Sequence, residues 1–190
     1  VMLRSVLVVI LVAFSASVSA QGSNYNYLQG SYGRVDLDDS VLDVDGDGLG
    51  LSGSFEIDEN FHIFGEYQTA EMNFGIDLEI MELGVGYHTN ISPNMDVYAN
   101  LAYIDIEADA GIGSADDSGF SLGIGLRGAV SEAVELYGGL DYIDFDESDS
   151  ETRANAGFLL SLTETLGVGL RATLWDDVNV FQVNARLYFE

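Results

Sequence analysis

The sequence has no cysteine, no lysine and one proline, Pro93, in 190 residues. Without cysteine there is no disulfide framework and no thiolate metal site. Basic side chains are few, six in all and every one Arg, against 32 acidic residues, for a formal net charge of -26. That balance excludes non-specific nucleic-acid binding, which needs positive charge against phosphate. Past the amino terminus, no apolar run is long enough for a membrane-spanning helix, and no segment sustains a helical period. Low hydrophobicity, which would accompany high charge in a disordered chain, is missing too, since 47% of residues are hydrophobic.

The amino terminus has a composition of its own. Arg4, the apolar stretch over residues 6–14 and the small residues Val18-Ser19-Ala20 read as a secretory signal peptide over residues 1–20, cut before Gln21. The apolar stretch is too short to span a bilayer. Residues 21–190 are then expected to form a single domain.

What fills that domain is alternation. In Phe181-Gln182-Val183-Asn184-Ala185-Arg186-Leu187-Tyr188-Phe189 the odd positions are apolar and the even ones polar or amphipathic, a period of two. The same pattern recurs upstream. Leu49, Leu51 and Phe55 alternate with Ser52, Ser54 and Glu56; Met81, Leu83 and Val85 alternate with Glu82, Gly84 and Gly86; Phe120, Leu122 and Ile124 alternate with Ser121, Gly123 and Gly125. Ten such segments can be counted, joined in turn by short turns and by mostly longer, Asp-containing connections around residues 38–47, 71–77, 108–117 and 144–152. This spacing predicts an all-β fold, a closed antiparallel transmembrane β-barrel of ten strands with short turns at one end and longer acidic loops at the other. An even count brings both termini to the same side.

The polar faces argue against a soluble sandwich, whose wetted face would be rich in Lys, Glu and Thr. Here they carry Gly, Ser and Asn with isolated charges: Glu56, Glu66, Glu82, Asp96, Glu135 and Asp141 against Arg127, Arg171 and Arg186. Small residues and paired charges suit a narrow lumen plugged by its own side chains. The functional alternative is a charged constriction that selects ions. Tyr27, Phe61, Tyr87, Tyr103, Tyr142, Trp175, Tyr188 and Phe189 lie near strand ends, as aromatic girdles at the two interfaces would.

The signal peptide, the opening Tyr27-Leu28-Gln29-Gly30-Ser31-Tyr32-Gly33, the strand repeats and the closing Arg186-Leu187-Tyr188-Phe189 together resemble a small Gram-negative outer membrane β-barrel protein of the broad OmpA/OmpX-like class. The resemblance implies residence in the bacterial outer membrane. It also implies that the terminal strand, through Phe181, Val183, Leu187, Tyr188 and Phe189, is the signal read by the barrel-assembly machinery. Many members of that class have eight strands, the alternative to the ten counted here.

Two constellations bear on chemistry. Asp43-Val44-Asp45-Gly46-Asp47-Gly48 matches the first half of a calcium loop, but the twelfth position, where a bidentate Glu is needed, falls at Ser54, which excludes an EF-hand. Loose binding of Ca²⁺ or Mg²⁺ by Asp43, Asp45 and Asp47 stands against the simpler reading of a solvated hairpin loop. His62 and His88 would sit opposite one another if their strands pair around residues 73–75, with Asp96 opposite His88 on the next strand. A structural hydrogen-bonded cluster fits these better than catalysis, because no nucleophile has a suitable partner. No catalytic residue and no obligatory cofactor are expected. The sequence reads as a monomeric barrel with a structural or surface-interaction role, and a narrow cation-preferring channel as the alternative. Its expected partners are outer membrane lipid, the barrel-assembly machinery and lipopolysaccharide, whose phosphates the acidic loops would repel unless divalent cations intervene.

Overall fold

The computed structural model describes residues 23–38, 43–111, 113–175 and 178–189. The expected signal peptide lies outside the described residues. Ten strands follow in order: β1 (Tyr27–Asp38), β2 (Asp43–Glu56), β3 (Phe61–Met72), β4 (Ile76–Ser92), β5 (Met95–Asp109), β6 (Ser114–Ala129), β7 (Val134–Phe145), β8 (Glu151–Ser161), β9 (Leu166–Trp175) and β10 (Val178–Tyr188). Each pairs antiparallel with its sequence neighbours, and β1 pairs with β10, from Tyr27 opposite Tyr188 to Leu37 opposite Val178, so the sheet closes without a free edge. The eight-strand alternative is thereby set aside.

At the end where the chain enters, the turns are short and built by side chains. Ser131 Oγ accepts from the Val134 amide at 3.0 Å, and Thr163 Oγ1 accepts from the Leu166 amide at 3.0 Å. Both satisfy backbone donors that the ladder leaves free.

The other end departs from expectation. Three of the four expected acidic connections are shortened: residues 43–47, 108–109 and 114–117 are strand, and β3 joins β4 through the three-residue turn Asn73–Gly75, while residues 146–150 connect β7 to β8. Alternation runs through these stretches, but its chemistry inverts. Along β4 the inward residues change from His88, Gly86 and Glu82 to Ile80 and Leu78, while the outward ones change from Tyr87, Val85 and Leu83 to Glu79 and Asp77. Along β5 the inward residues change from Asp96, Tyr98 and Asn100 to Ile104 and Ile106, and the outward ones from Leu101 and Tyr103 to Asp105 and Glu107. Outside the hydrocarbon layer the wall meets water on its outer face. Carboxylates belong there, and apolar side chains turn inward as in a soluble barrel. Val35, Val44, Ala70 and Met72 form one buried cluster at this end, and Ile104, Ile143 and Trp175 a second. Burying each larger aliphatic side chain contributes about 1.5–3 kcal/mol.

In the membrane zone the exterior is apolar. Tyr32, Tyr67, Tyr103, Phe120 and Tyr142 are exposed near the acidic end, and Phe55, Phe61, Tyr87 and Phe189 near the other. Three aromatics expected in these girdles face the lumen instead: Tyr27, Trp175 and Tyr188. Tyr27 and Tyr188 contact Arg186, and Trp175 lies beside Arg153. Their strand parity outweighs their position near strand ends.

Candidate functional site: a divided lumen

The inward faces of the ten strands build a lumen of two tiers. The inner tier, between the entering end and the middle of the barrel, is charged. Arg153 on β8 reaches Glu82 on β4, with Nη2 2.9 Å from Oε2 and 3.2 Å from Oε1. Its Nε donates to Asp141 Oδ2 at 3.1 Å. Arg171 on β9 meets Glu66 on β3 through Nη1, at 2.9 and 3.1 Å from the two carboxylate oxygens. Arg127 on β6 pairs with Glu135 at 2.7 Å and donates to the Tyr188 hydroxyl on β10 at 3.3 Å. Arg186 donates to Gln29 Oε1 at 2.9 Å, stacks at 3.9 Å on the Tyr27 ring and lies 3.9 Å from Glu135.

Three of these contacts join strands four places apart around the ring: β8 to β4, β9 to β3 and β6 to β10. They therefore cross the lumen rather than follow its wall. Opposite small residues make room for large ones. A Cβ on Gly157 would come within 2.5 Å of the Tyr137 ring, and one on Gly139 within 2.7 Å of the Tyr98 hydroxyl. A space of about 140 Å³ remains among the charged side chains.

The inner mouth is corked by a segment with no strand pattern. Tyr25 is buried, its ring stacked 3.8 Å from that of His88 and 4.7 Å from that of His62, with the Arg127 guanidinium 4.9 Å away. Asn26 exchanges hydrogen bonds with Glu56, and the Ser23 amide donates to Asp96 Oδ2 at 3.2 Å. Asp96 also accepts from Asn90 Nδ2 at 2.5 Å.

The two histidines meet, Nδ1 to Nδ1 at 3.1 Å, but not by direct pairing. His62 is opposite Gly86 and His88 opposite Tyr98, while Asp96 is opposite Asn90. The tight turn at Asn73–Gly75 sets this register, two residues from the expected one. Glu56 lies 3.7 Å from His88 Nε2.

The half-motif for calcium is not a loop. Asp45 and Asp47 lie on β2 and face outward; Asp45 pairs with Arg34 and accepts from Asn73 Nδ2 at 2.8 Å. Asp43 begins the same strand. Among the described residues, no three His, Asp or Glu side chains converge closely enough to hold a metal ion. Alternation persisting through the acids keeps Asp45 and Asp47 in extended strand, where their carboxylates cannot wrap one centre. Of the terminal strand, Phe181, Val183, Leu187 and Phe189 are exposed on the lipid side, and Tyr188 faces in.

Two residues of the inner tier were not singled out from sequence. Arg153, which holds two carboxylates, shares strand parity with Asn155 and could have been found by that parity. Tyr25 precedes the first strand, and no pattern marks it.

Solved structures share this architecture at low identity. The translocator domain of the autotransporter NalP from Neisseria meningitidis matches with a TM-score of 0.53 at 9% identity, over 98% of this chain and 94% of its own. The β domain of the Bordetella autotransporter BrkA matches with a TM-score of 0.51 at 11% identity, over 88% of this chain and 100% of its own. The KdgM porin in complex with disordered oligogalacturonate gives 0.49 at 9% identity, over 86% and 99%. Among curated proteins, none matches this sequence. The family model described as outer membrane protein β-barrel domain matches residues 6–163, most of the chain, so this is a member of that family and a protein of the bacterial outer membrane.

Proposed function

We propose that this barrel is a sealed, monomeric outer membrane protein without enzymatic activity, which acts through its wall and outer surface in a structural or surface-interaction role. The observation that supports this is the set of three charge-assisted contacts spanning the inner tier from opposite walls. A pore needs a continuous water path, and these side chains, with Tyr25 beneath them, occupy it. The outer surface is acidic, and its partner in the outer leaflet is lipopolysaccharide, approached through divalent counter-ions. The exposed apolar positions of β10 suit recognition by the barrel-assembly machinery.

The second reading, a narrow cation-preferring channel, draws on the inner tier's six carboxylates against four guanidiniums and on its residual 140 Å³. The two are separated by K⁺ flux from vesicles containing the folded protein. A sealed barrel leaves flux at the protein-free rate. Flux that rises with protein content and favours K⁺ over Cl⁻ would replace the sealed reading with the channel.

A further inference from the structure

The outer tier is not solidly packed. Above the charged plug lies a cavity of about 360 Å³, whose wall includes Val35, Met72, Ile80, Ile106, Phe145 and Trp175. Protein interiors hold few voids larger than a water molecule, and an apolar cavity of about 150 Å³ is enough to bind benzene. A space more than twice that size, ringed by apolar side chains, is a site rather than a packing fault.

One polar group in this wall has nothing to bond. Trp175 is buried, and its indole Nε1 has no hydrogen-bond partner. The Phe145 ring lies parallel to it, with centroids 6.3 Å apart and planes within 7°, and the Arg153 guanidinium sits 5.4 Å from its centre at the boundary between tiers. The indole is therefore held in place from two sides. A buried N–H without an acceptor is destabilising, and a ligand acceptor would remove that cost. Toward the inner tier the wall includes Gln68 and Gln182, the latter opposite Arg171, and at the outer margin it includes Asp117 and Ser148. The outward faces around this tier carry Asp77, Glu79, Asp105 and Glu107, a field that disfavours anions.

We propose that the outer tier binds a small, uncharged, mostly apolar molecule bearing a hydrogen-bond acceptor, such as a ketone, ester or ether, taken up from the outer side and held against Trp175. This goes beyond the sealed-barrel reading and does not depend on it, since a ligand can bind above an open or a closed inner tier.

Trp175 is the only tryptophan in the chain, so its fluorescence reports the site directly. The full-length barrel, folded in phosphatidylcholine vesicles, is titrated with 4-bromoacetophenone, whose bromine quenches indole. Saturable quenching is expected. Brominated phosphatidylcholine, confined to the lipid outside the wall, should leave the emission unchanged. Ala70→Phe and Val180→Phe, each filling the cavity, should abolish the saturable phase, and retained heat-modifiable mobility identifies which of them folds. 4-Bromoethylbenzene, which lacks the carbonyl, should bind at least about fivefold more weakly. Quenching that rises linearly and equally in the filled variants would overturn the site, and equal affinity for the two bromides would overturn the role of the Trp175 N–H.

Discussion

Arg153 on β8 and Glu82 on β4 face each other across the lumen, Nη2 to Oε2 at 2.9 Å, both side chains buried. The same guanidinium holds Asp141, opposite it on β7, at 3.1 Å. One cation thus bridges two carboxylates at the level where the lumen changes from charged to apolar.

Removing that cation should be costly. Arg153→Ala leaves Glu82 and Asp141 facing each other without their partner, and loss of one member of a buried ion pair costs about 3–5 kcal/mol. Urea-induced unfolding of the barrel in lipid vesicles should show a loss toward the lower end of that range, because water can enter the gap. A loss below about 1 kcal/mol would mean that the pair is already hydrated and contributes little.

Tyr25 should behave as a cork rather than a tail. Tyr25→Ala removes the ring stacked on His88 and His62, and large-to-small changes at buried aromatics cost about 3–5 kcal/mol. Residues 23–26 should then become accessible to protease added on the inner side. Resistance equal to the parent's would show that the segment is held by the Ser23 and Asn26 hydrogen bonds alone.

The turn between β3 and β4 is strained by its sequence. Phe74 has φ 64° and the following Gly75 φ 72°, both in the left-handed region that Gly and Asn adopt most readily. A bulky residue there is an outlier. Phe74→Asn should raise stability by about 1 kcal/mol. A loss of stability would show that the exposed ring makes contacts that outweigh the strain.

The acids of the outer wall stand in cross-strand rows. Asp47 faces Glu71, Glu71 faces Asp77 and Asp77 faces Asp109; one register along, Glu79 faces Glu107 and Glu107 faces Asp116. Like charges directly opposite are destabilising. Mg²⁺ should therefore raise the unfolding temperature, and Asp77→Asn should do so in chelator at low salt. An unchanged or lower temperature for Asp77→Asn would mean that these carboxylates are already compensated.

These rows also mark what was hard to read. The lipid-facing residues Leu51, Leu83, Leu122 and Val183 declare themselves, because two-residue alternation with apolar residues on one side is the strongest strand signal. Asp105-Ile106-Glu107-Ala108-Asp109 alternates just as strictly, but a high Asp content is also the mark of a loop, and only continuity of parity with Leu101 and Tyr103 separates the two. Within the lumen, parity placed the carboxylates and the Arg residues on one face; which Arg meets which carboxylate depends on strands far apart in sequence. Register was out of reach for a similar reason, since shifting the centre of the turn by one residue moves the partner of His62 two places along β4.

Asp117, on the outer side of Phe120, ties the connection after β7 to β6. Its carboxylate accepts from the amides of Ser118, Glu147 and Ser148, and bonding to Ser148 leads the causes that hold it below the usual carboxylate value. A depressed folded value means that the tie is complete above the ordinary value of 3.8 and is lost as pH falls through the folded one. Amide exchange at Glu147 and Ser148, corrected for intrinsic rate, should lose protection only in that acid range. Constant protection down to pH 2 would show that other contacts hold the connection.

The most direct test of the sealed lumen is single-channel recording in a planar bilayer, comparing the parent barrel with an Arg153→Ala, Arg171→Ala double variant of demonstrated fold. With the parent silent and the double variant giving discrete current steps, the cross-lumen contacts to Glu82 and Glu66 are what close the path. Steps from the parent itself, of the same size in the double variant, would contradict a lumen sealed by these residues.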